Sequence, residues 1–188
     1  LTQGASSQLT FSGSMPTVTT LTATASSNTV SYTSTAGAQT VISITYVNLT
    51  IDKSGQTATL GGTTTVNGTL TLTQGTLDAN NNNVTIAGNL SSSNTNTRTI
   101  TMGSGTWTLS STGTVWDTST VTGLTVNQNT STIAITNTSA TSKTFAGGGK
   151  TYYDLSITAS GSGAVIFTGA NTFNNFTINA PKTITFPA

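Results

Sequence analysis

The sequence predicts an all-β chain wound as a right-handed parallel β-solenoid (β-helix), and three observations carry that expectation. Thr makes up 48 of the 188 residues, beside 23 Ser, 17 Asn and 19 Gly, and there is no Glu. Thr is β-branched and fits a pleated surface better than a helix, while Gly and Asn supply turns and left-handed positions. Short runs of strict apolar/polar alternation recur about every 10 to 15 residues, each bounded by Gly, Asn, Ser or Asp. Finally, the chain repeats itself, as stacked architectures do. A tandem β-sandwich or jelly roll is the alternative, disfavoured because so few charges and Pro residues are present to protect exposed sheet edges.

Taken in order, the alternating runs are Thr29 to Thr33, Thr45 to Ile51, Thr69 to Thr73, Val84 to Ala87, Thr97 to Met102 and Thr106 to Leu109, followed by Thr132 to Thr136, Tyr152 to Ile157, Ala164 to Thr168, Phe176 to Ile178 and Thr183 to Phe186. In Thr69 to Thr73 a period of two puts Leu70 and Leu72 on one face and three Thr on the other, one side core and one side wet. Upstream, Leu9 and Phe11 also alternate, which makes Leu1 to Ser14 a candidate for a strand donated to a neighbouring subunit. The low charge does not signal disorder, because the apolar residues are patterned instead of missing.

The segment from Val18 (VTTLTATASSNTVSYT) aligns without a gap with the segment from Val121 (VTGLTVNQNTSTIAIT). Further on, Thr45 to Ile51 (TYVNLTI) answers Thr151 to Ile157 (TYYDLSI), Leu70 with Leu72 answers Phe176 with Ile178, and Leu9 answers Trp107. The expected organisation is one domain over residues 1–188, with repeat copies at about 9–106 and 107–188, the second incomplete, as if drawn from a longer array.

The stretches TATLGGTTTVNGTLTLTQGTLDANNNNVTIAGNL and TFAGGGKTYYDLSITASGSGAVIFTGANTFNNFTINAPKTITF resemble the β-strand repeats of large secreted bacterial adhesin-like proteins and of phage tail-fibre or other virion proteins. The resemblance covers nearly the whole chain and carries no catalytic motif. It implies a solenoid-like structural role at an extracellular, cell-surface or virion location.

Chemistry is limited by what is missing. Without His, Cys or Glu there is no Ser-His-Asp triad, no Cys-His pair and no His-based zinc site. The carboxylates are Asp52, Asp78, Asp117 and Asp154. Two of them about 5 to 9.5 Å apart would serve a glycosidase; Asp52 and Lys53, however, read as a turn beside Gly55, and Asp154 aligns with Asn48. Asp78 to Asn83 begins like a calcium loop, but Asn83 stands where Gly is needed and Asn89 where a bidentate Glu is needed, so it reads as an Asn-rich turn. Gly147 to Thr151 ends like a phosphate loop, yet Thr144 replaces its first Gly and a strand pattern follows. Gly161 to Gly163 reads as a turn for the same reason, with Ile166 where a dinucleotide fingerprint needs a small residue.

The expectation is therefore a non-enzymatic structural or adhesive fibre module with no cofactor and no metal. Its net charge of +1 and scattered Lys/Arg leave no stripe for nucleic acid, and no apolar run reaches the length needed for membrane insertion. Leu1 to Thr10 has neither the basic start nor the apolar block of a secretory signal. The expected partner is a second copy, in a homo-oligomer or filament, and a cell-surface polysaccharide is the further candidate. Trp107 is expected in the core, because it aligns with Leu9, as is one of Tyr152 and Tyr153. Trp116, Asp117 and Tyr153 are the candidate surface contacts. Two alternatives stand beside this reading: a carbohydrate-binding or degrading β-helix, and an ice-binding Thr array. The array needs one Thr pair per coil in strict register, whereas the T-x-T runs fall at uneven sequence spacing.

Overall fold

The computed structural model describes residues 1–14, 18, 20–159, 161–179 and 182–187; Thr19 of the first repeat segment and the terminal Ala188 lie outside them. Nineteen strands follow one another: β1 (Gln8–Phe11), β2 (Thr29–Tyr32), β3 (Gln39–Val41), β4 (Thr45–Tyr46), β5 (Asn48–Leu60), β6 (Thr64–Val66), β7 (Leu70–Asp78), β8 (Val84–Ile86), β9 (Leu90–Ser91), β10 (Arg98–Thr101), β11 (Thr106–Leu109), β12 (Gly113–Asp117), β13 (Leu124–Asn127), β14 (Thr132–Ile135), β15 (Lys143–Ala146), β16 (Thr151–Ile157), β17 (Val165–Thr168), β18 (Thr172–Ile178) and β19 (Ile184–Thr185). Every strand pairing among the described residues is parallel. A stack of antiparallel sandwiches is thereby excluded, and the chain is a parallel β-solenoid.

The strands form two sheets. The first runs β1-β2-β5-β7-β9-β12-β15-β17-β19, with β3 and β10 paired to the C-terminal halves of β5 and β7 and β13 paired to β10, and the other runs β4-β6-β8-β11-β14-β16-β18. Nine strands in succession along one sheet correspond to about eight turns, and with parallel strands about 4.8 Å apart the stack is roughly 40 Å long. Val47 marks a corner: Thr45 and Tyr46 belong to the second sheet and Asn48 to Ile51 to the first, so a run that reads as one strand in sequence is two strands on different faces.

Alternation does what the sequence demands of it. In the first sheet the inward position is held by Leu9, Val30, Leu49, Leu70, Leu90, Trp116, Phe145 and Phe167, each in register with the next. In the second sheet it is held by Tyr46, Val66, Ile86, Leu109, Ile135, Ile157 and Ile178. Apart from Ile178, which is exposed at the C-terminal edge, these ladders merge into one hydrophobic cluster. Each fully buried Leu, Ile or Val side chain contributes about 1.5–3 kcal/mol, without help from disulfides. Turns rich in Leu and Val are short; they lengthen around Trp107 and Trp116, where Leu90, Trp116 and Phe145 stand 26 and 29 residues apart, and shorten again to 22 at Phe167. The rings of Trp107, Trp116, Phe145, Tyr152, Phe167 and Phe173 touch in edge-to-face, stacked and tilted pairs.

Two structural results depart from expectation. β1 pairs with β2 of its own chain, Leu9 opposite Val30 and Phe11 opposite Tyr32, so Gln8–Phe11 is the first turn of the stack instead of a donated strand. The aligned repeat segments also fall on different faces. Thr29–Tyr32 lies in the first sheet and Thr132–Ile135 in the second, and Leu70 and Leu72 lie in the first sheet whereas Phe176 and Ile178 lie in the second. A period-two pattern fits either sheet, which is why similar segments can occupy both.

Candidate functional site

Each of the five Lys/Arg side chains turns onto backbone carbonyls. Lys53 donates to the Gly37 carbonyl at 2.7 Å and to Gln39 Oε1 at 3.0 Å. Arg98 donates to the carbonyls of Ser92, Thr120 and Thr122 at 2.7, 2.8 and 2.9 Å. Lys143 donates to Ser139, Lys150 to Leu124 and Lys182 to Gly161. Lys53, Arg98 and Lys143 are 0% exposed. They clamp the loops between strands, and burial holds the pKa of each below its ordinary value, with the neighbouring Lys182 charge adding to the effect at Lys143. Sequence reasoning placed Lys53 in a turn beside Gly55. It lies within β5, with its side chain turned inward, and Gly55 (φ 68°) makes the corner that follows.

The four carboxylates are similarly occupied. Asp52 accepts from Gln74 Nε2 at 2.7 Å, Asp78 from the Asn80 backbone N–H at 2.8 Å, Asp117 from the Ser119 N–H and hydroxyl at 3.1 and 2.6 Å, and Asp154 from the Asn174 and Asn175 amides at 3.2 and 2.7 Å. Asp78 to Asn83 is a tight turn with Asn80 and Asn81 at φ 49° and 62°. Its amides are spent on neighbouring turns: Asn82 donates to the Leu60 carbonyl, and the side-chain oxygens of Asn81 and Asn83 accept from the Ser104 and Thr106 N–H groups. No cluster of three or more His, Cys, Asp or Glu occurs among the described residues. Gly147 to Lys150 is a turn leading into β16, as the strand pattern after it implied.

Trp116, expected as a surface contact, is 0% exposed. It stands opposite Leu90 and Phe145, the inward position of the first sheet. Its indole N–H donates to the Thr118 hydroxyl at 3.1 Å and the Tyr152 hydroxyl at 3.2 Å, and it stacks on Phe145 at 5.6 Å. The reason is a register irregularity between Thr114 and Trp116, which leaves Val115 and Trp116 both buried and breaks the alternation by which the sequence was read. Asp117 and Tyr153 are half-buried, on strands of different sheets, so the three residues do not form one exposed site. Trp107 and Tyr152 are core, as expected.

A cleft of about 250 Å³ opens at the C-terminal end of the stack, walled by Phe167, Phe173 and Phe186. The polar side chain lining it, Asn171, accepts from the Gly149 N–H and donates to the Thr168 carbonyl.

The outward ladders are the remaining surface. On the second sheet Thr45, Thr65, Thr85, Thr108, Ala134, Ser156 and Thr177 succeed one another in register, and beside them stand Thr106, Thr132, Asp154 and Asn175. None of the six pairings in this sheet carries a register shift, whereas the first sheet has shifts in β12 and between β5 and β7. The T-x-T runs of Thr69 to Thr73 and Thr97 to Met102 fall on β7 and β10 of the first sheet, whereas on the second sheet loops of different length absorb the uneven sequence spacing and leave Thr45, Thr65, Thr85 and Thr108 in register, one per turn.

Comparison with protein-family models, with curated proteins and with solved structures returns no match.

Proposed function

We propose that the chain is a non-enzymatic structural module, a stiff and weakly charged rod that spaces or displays other parts of an extracellular, cell-surface or virion fibre. One observation carries the reading: all nine charged side chains are engaged within the fold, the cations on backbone carbonyls and the carboxylates on amides, N–H groups and hydroxyls. Charge here holds turns together and leaves little for acid-base work or for steering an ionic ligand. The parallel ladders supply stiffness along the axis, and Thr, Ser and Asn hydrate the outside. The outer edges of β1 and β18 are unpaired among the described residues, which favours end-to-end association of copies.

Negative-stain electron microscopy with light scattering on the purified chain tests the proposal. Rods or end-to-end filaments support it. Compact isotropic particles, or release of reducing sugar from a panel of bacterial polysaccharides, overturn it.

A further inference from the structure

The geometry points to the outer face of the second sheet as a surface that binds an ordered water lattice, that is, ice, in addition to any structural role. Three independent features of that face converge on this ligand.

The first is two-dimensional regularity. Thr45, Thr65, Thr85 and Thr108 stand one per turn, continued by Ala134, Ser156 and Thr177, and two residues away along the strands Thr106 and Thr132 form a neighbouring column that Asp154 and Asn175 continue. Parallel strands repeat at about 4.8 Å and alternate residues along a strand at about 6.6 Å. Rows of oxygen atoms on the prism faces of hexagonal ice repeat on two lengths close to these. Because no pairing in this sheet shifts register, the match can extend over seven strands; the first sheet, kinked at β12 and between β5 and β7, cannot offer it.

The second is the state of the hydroxyls. Those of Thr45, Thr65, Thr85 and Thr108 engage no other described residue, in contrast to Thr69, which donates to Asn89, and Thr136, which donates to the Leu109 carbonyl. They are free to hold water, and β-branching fixes their torsions before any ligand arrives, so little ordering entropy is lost on binding.

The third is charge. The seven strands of this sheet contain no Lys or Arg, and their single carboxylate, Asp154, is tied to two Asn amides. An ionic surface would organise water around its charges instead of in a lattice. A crystalline polysaccharide is the weaker match, because recognition of sugar rings relies on exposed aromatic faces; Tyr152, Phe173 and Phe176 of this sheet pack together in the interior cluster, which leaves the half-buried Tyr153 as a single ring outside it.

The test is ice-crystal morphology, thermal hysteresis and recrystallisation inhibition, measured on the whole chain and on four variants. Thr85→Tyr and Thr108→Tyr interrupt the array at its centre; Thr71→Tyr places the same side chain on the outer face of the first sheet, where Thr71 pairs with Thr50 and Ser91. Circular dichroism and melting temperature establish that each variant is folded, and Thr85→Val provides a nearly isosteric substitution that keeps the β-branch should Tyr disturb the sheet. The expected result is faceted ice crystals with the unaltered chain, loss of most of the hysteresis with Thr85→Tyr or Thr108→Tyr, and retention with Thr71→Tyr. Absence of ice shaping by the unaltered chain, or equal loss in folded variants of both sheets, overturns the inference.

Discussion

Replacing Arg98 with Met probes the most unusual feature of the interior, a guanidinium with no solvent exposure and no carboxylate partner. Arg98 donates three hydrogen bonds, to Ser92, Thr120 and Thr122, which fasten the loop before β10 to the loop before β13. Hydrogen bonds from a charged group are worth about 1.5–3 kcal/mol each, so removing three costs roughly 4–9 kcal/mol at face value. Against this stands relief of the desolvation of a buried cation, which amounts to several kcal/mol. The unpaired Nε is one symptom of that desolvation. The Thr120 and Thr122 bonds are also part-buried, so water can replace part of what is lost there. The net expectation is a destabilisation of about 3 kcal/mol. For a chain of this size that lowers the melting temperature by about 6–12 °C. Arg98→Lys keeps the charge but not the planar fork and should fall between the two. Chemical and thermal unfolding followed by circular dichroism measures both. A loss below about 1 kcal/mol for Arg98→Met would falsify the view that this cation holds the loops together.

Alkaline pH should unfold the chain through its buried tyrosines. Burial raises the pKa of Tyr32, Tyr46 and Tyr152, that of Tyr152 from 10.0 to about 12, so their stabilisation is complete below pH 10 and is lost as pH rises above it, about 2 kcal/mol by pH 12 for Tyr152 alone. The depressed Lys53 and Lys143 act oppositely, because the unfolded chain binds more protons below 10.5; stability should rise slightly before it falls, and a flat profile from pH 8 to 12 in urea titrations counts against both assignments. Trp116→Ala should cost about 3–5 kcal/mol, whereas a surface residue would cost little, and acrylamide should fail to quench the emission of Trp107 and Trp116, both fully buried. Gly75→Ala should prevent folding, since Gly75 has φ 80° and an added Cβ would lie 1.8 Å from the Lys53 carbonyl oxygen; soluble protein with native circular dichroism is the contrary result. Trypsin should leave the folded chain uncut at Lys53, Arg98 and Lys143, whose side chains are buried, and early cleavage there would contradict their placement.

The solenoid was legible in the sequence because alternation of Thr with Leu, Val and Ile is a local property, and parallel stacking is how a chain with so few edge-protecting charges disposes of its strand edges. What alternation cannot say is which sheet a strand joins. Thr45 to Ile51 reads as one run and is split by the corner at Val47, and matching segments such as Thr29–Tyr32 and Thr132–Ile135 lie on opposite sheets. The inward cations were illegible for a different reason. Hydropathy places Lys and Arg outside, and only the fold brings Gln39 and the Gly37 carbonyl to Lys53. Trp116 was misread where a register irregularity put two consecutive residues inside.

The Thr column shows most clearly how a solenoid conceals its own order. Counting residues between T-x-T runs mixes two quantities, the strand register, which is constant, and the loop length, which is not. Alignment on the inward residue separates them. Val66, Ile86, Leu109, Ile135 and Ile157 form one ladder, and the residue before each is Thr65, Thr85, Thr108, Ala134 and Ser156. The signal was thus present in the sequence as a small side chain followed by a β-branched or leucine residue, one per turn. It becomes visible only when each turn is measured from its own core position instead of from the previous Thr. A search for regular surfaces in solenoids of variable turn length should therefore be keyed to the buried ladder, because packing fixes that register while the loops are free to vary.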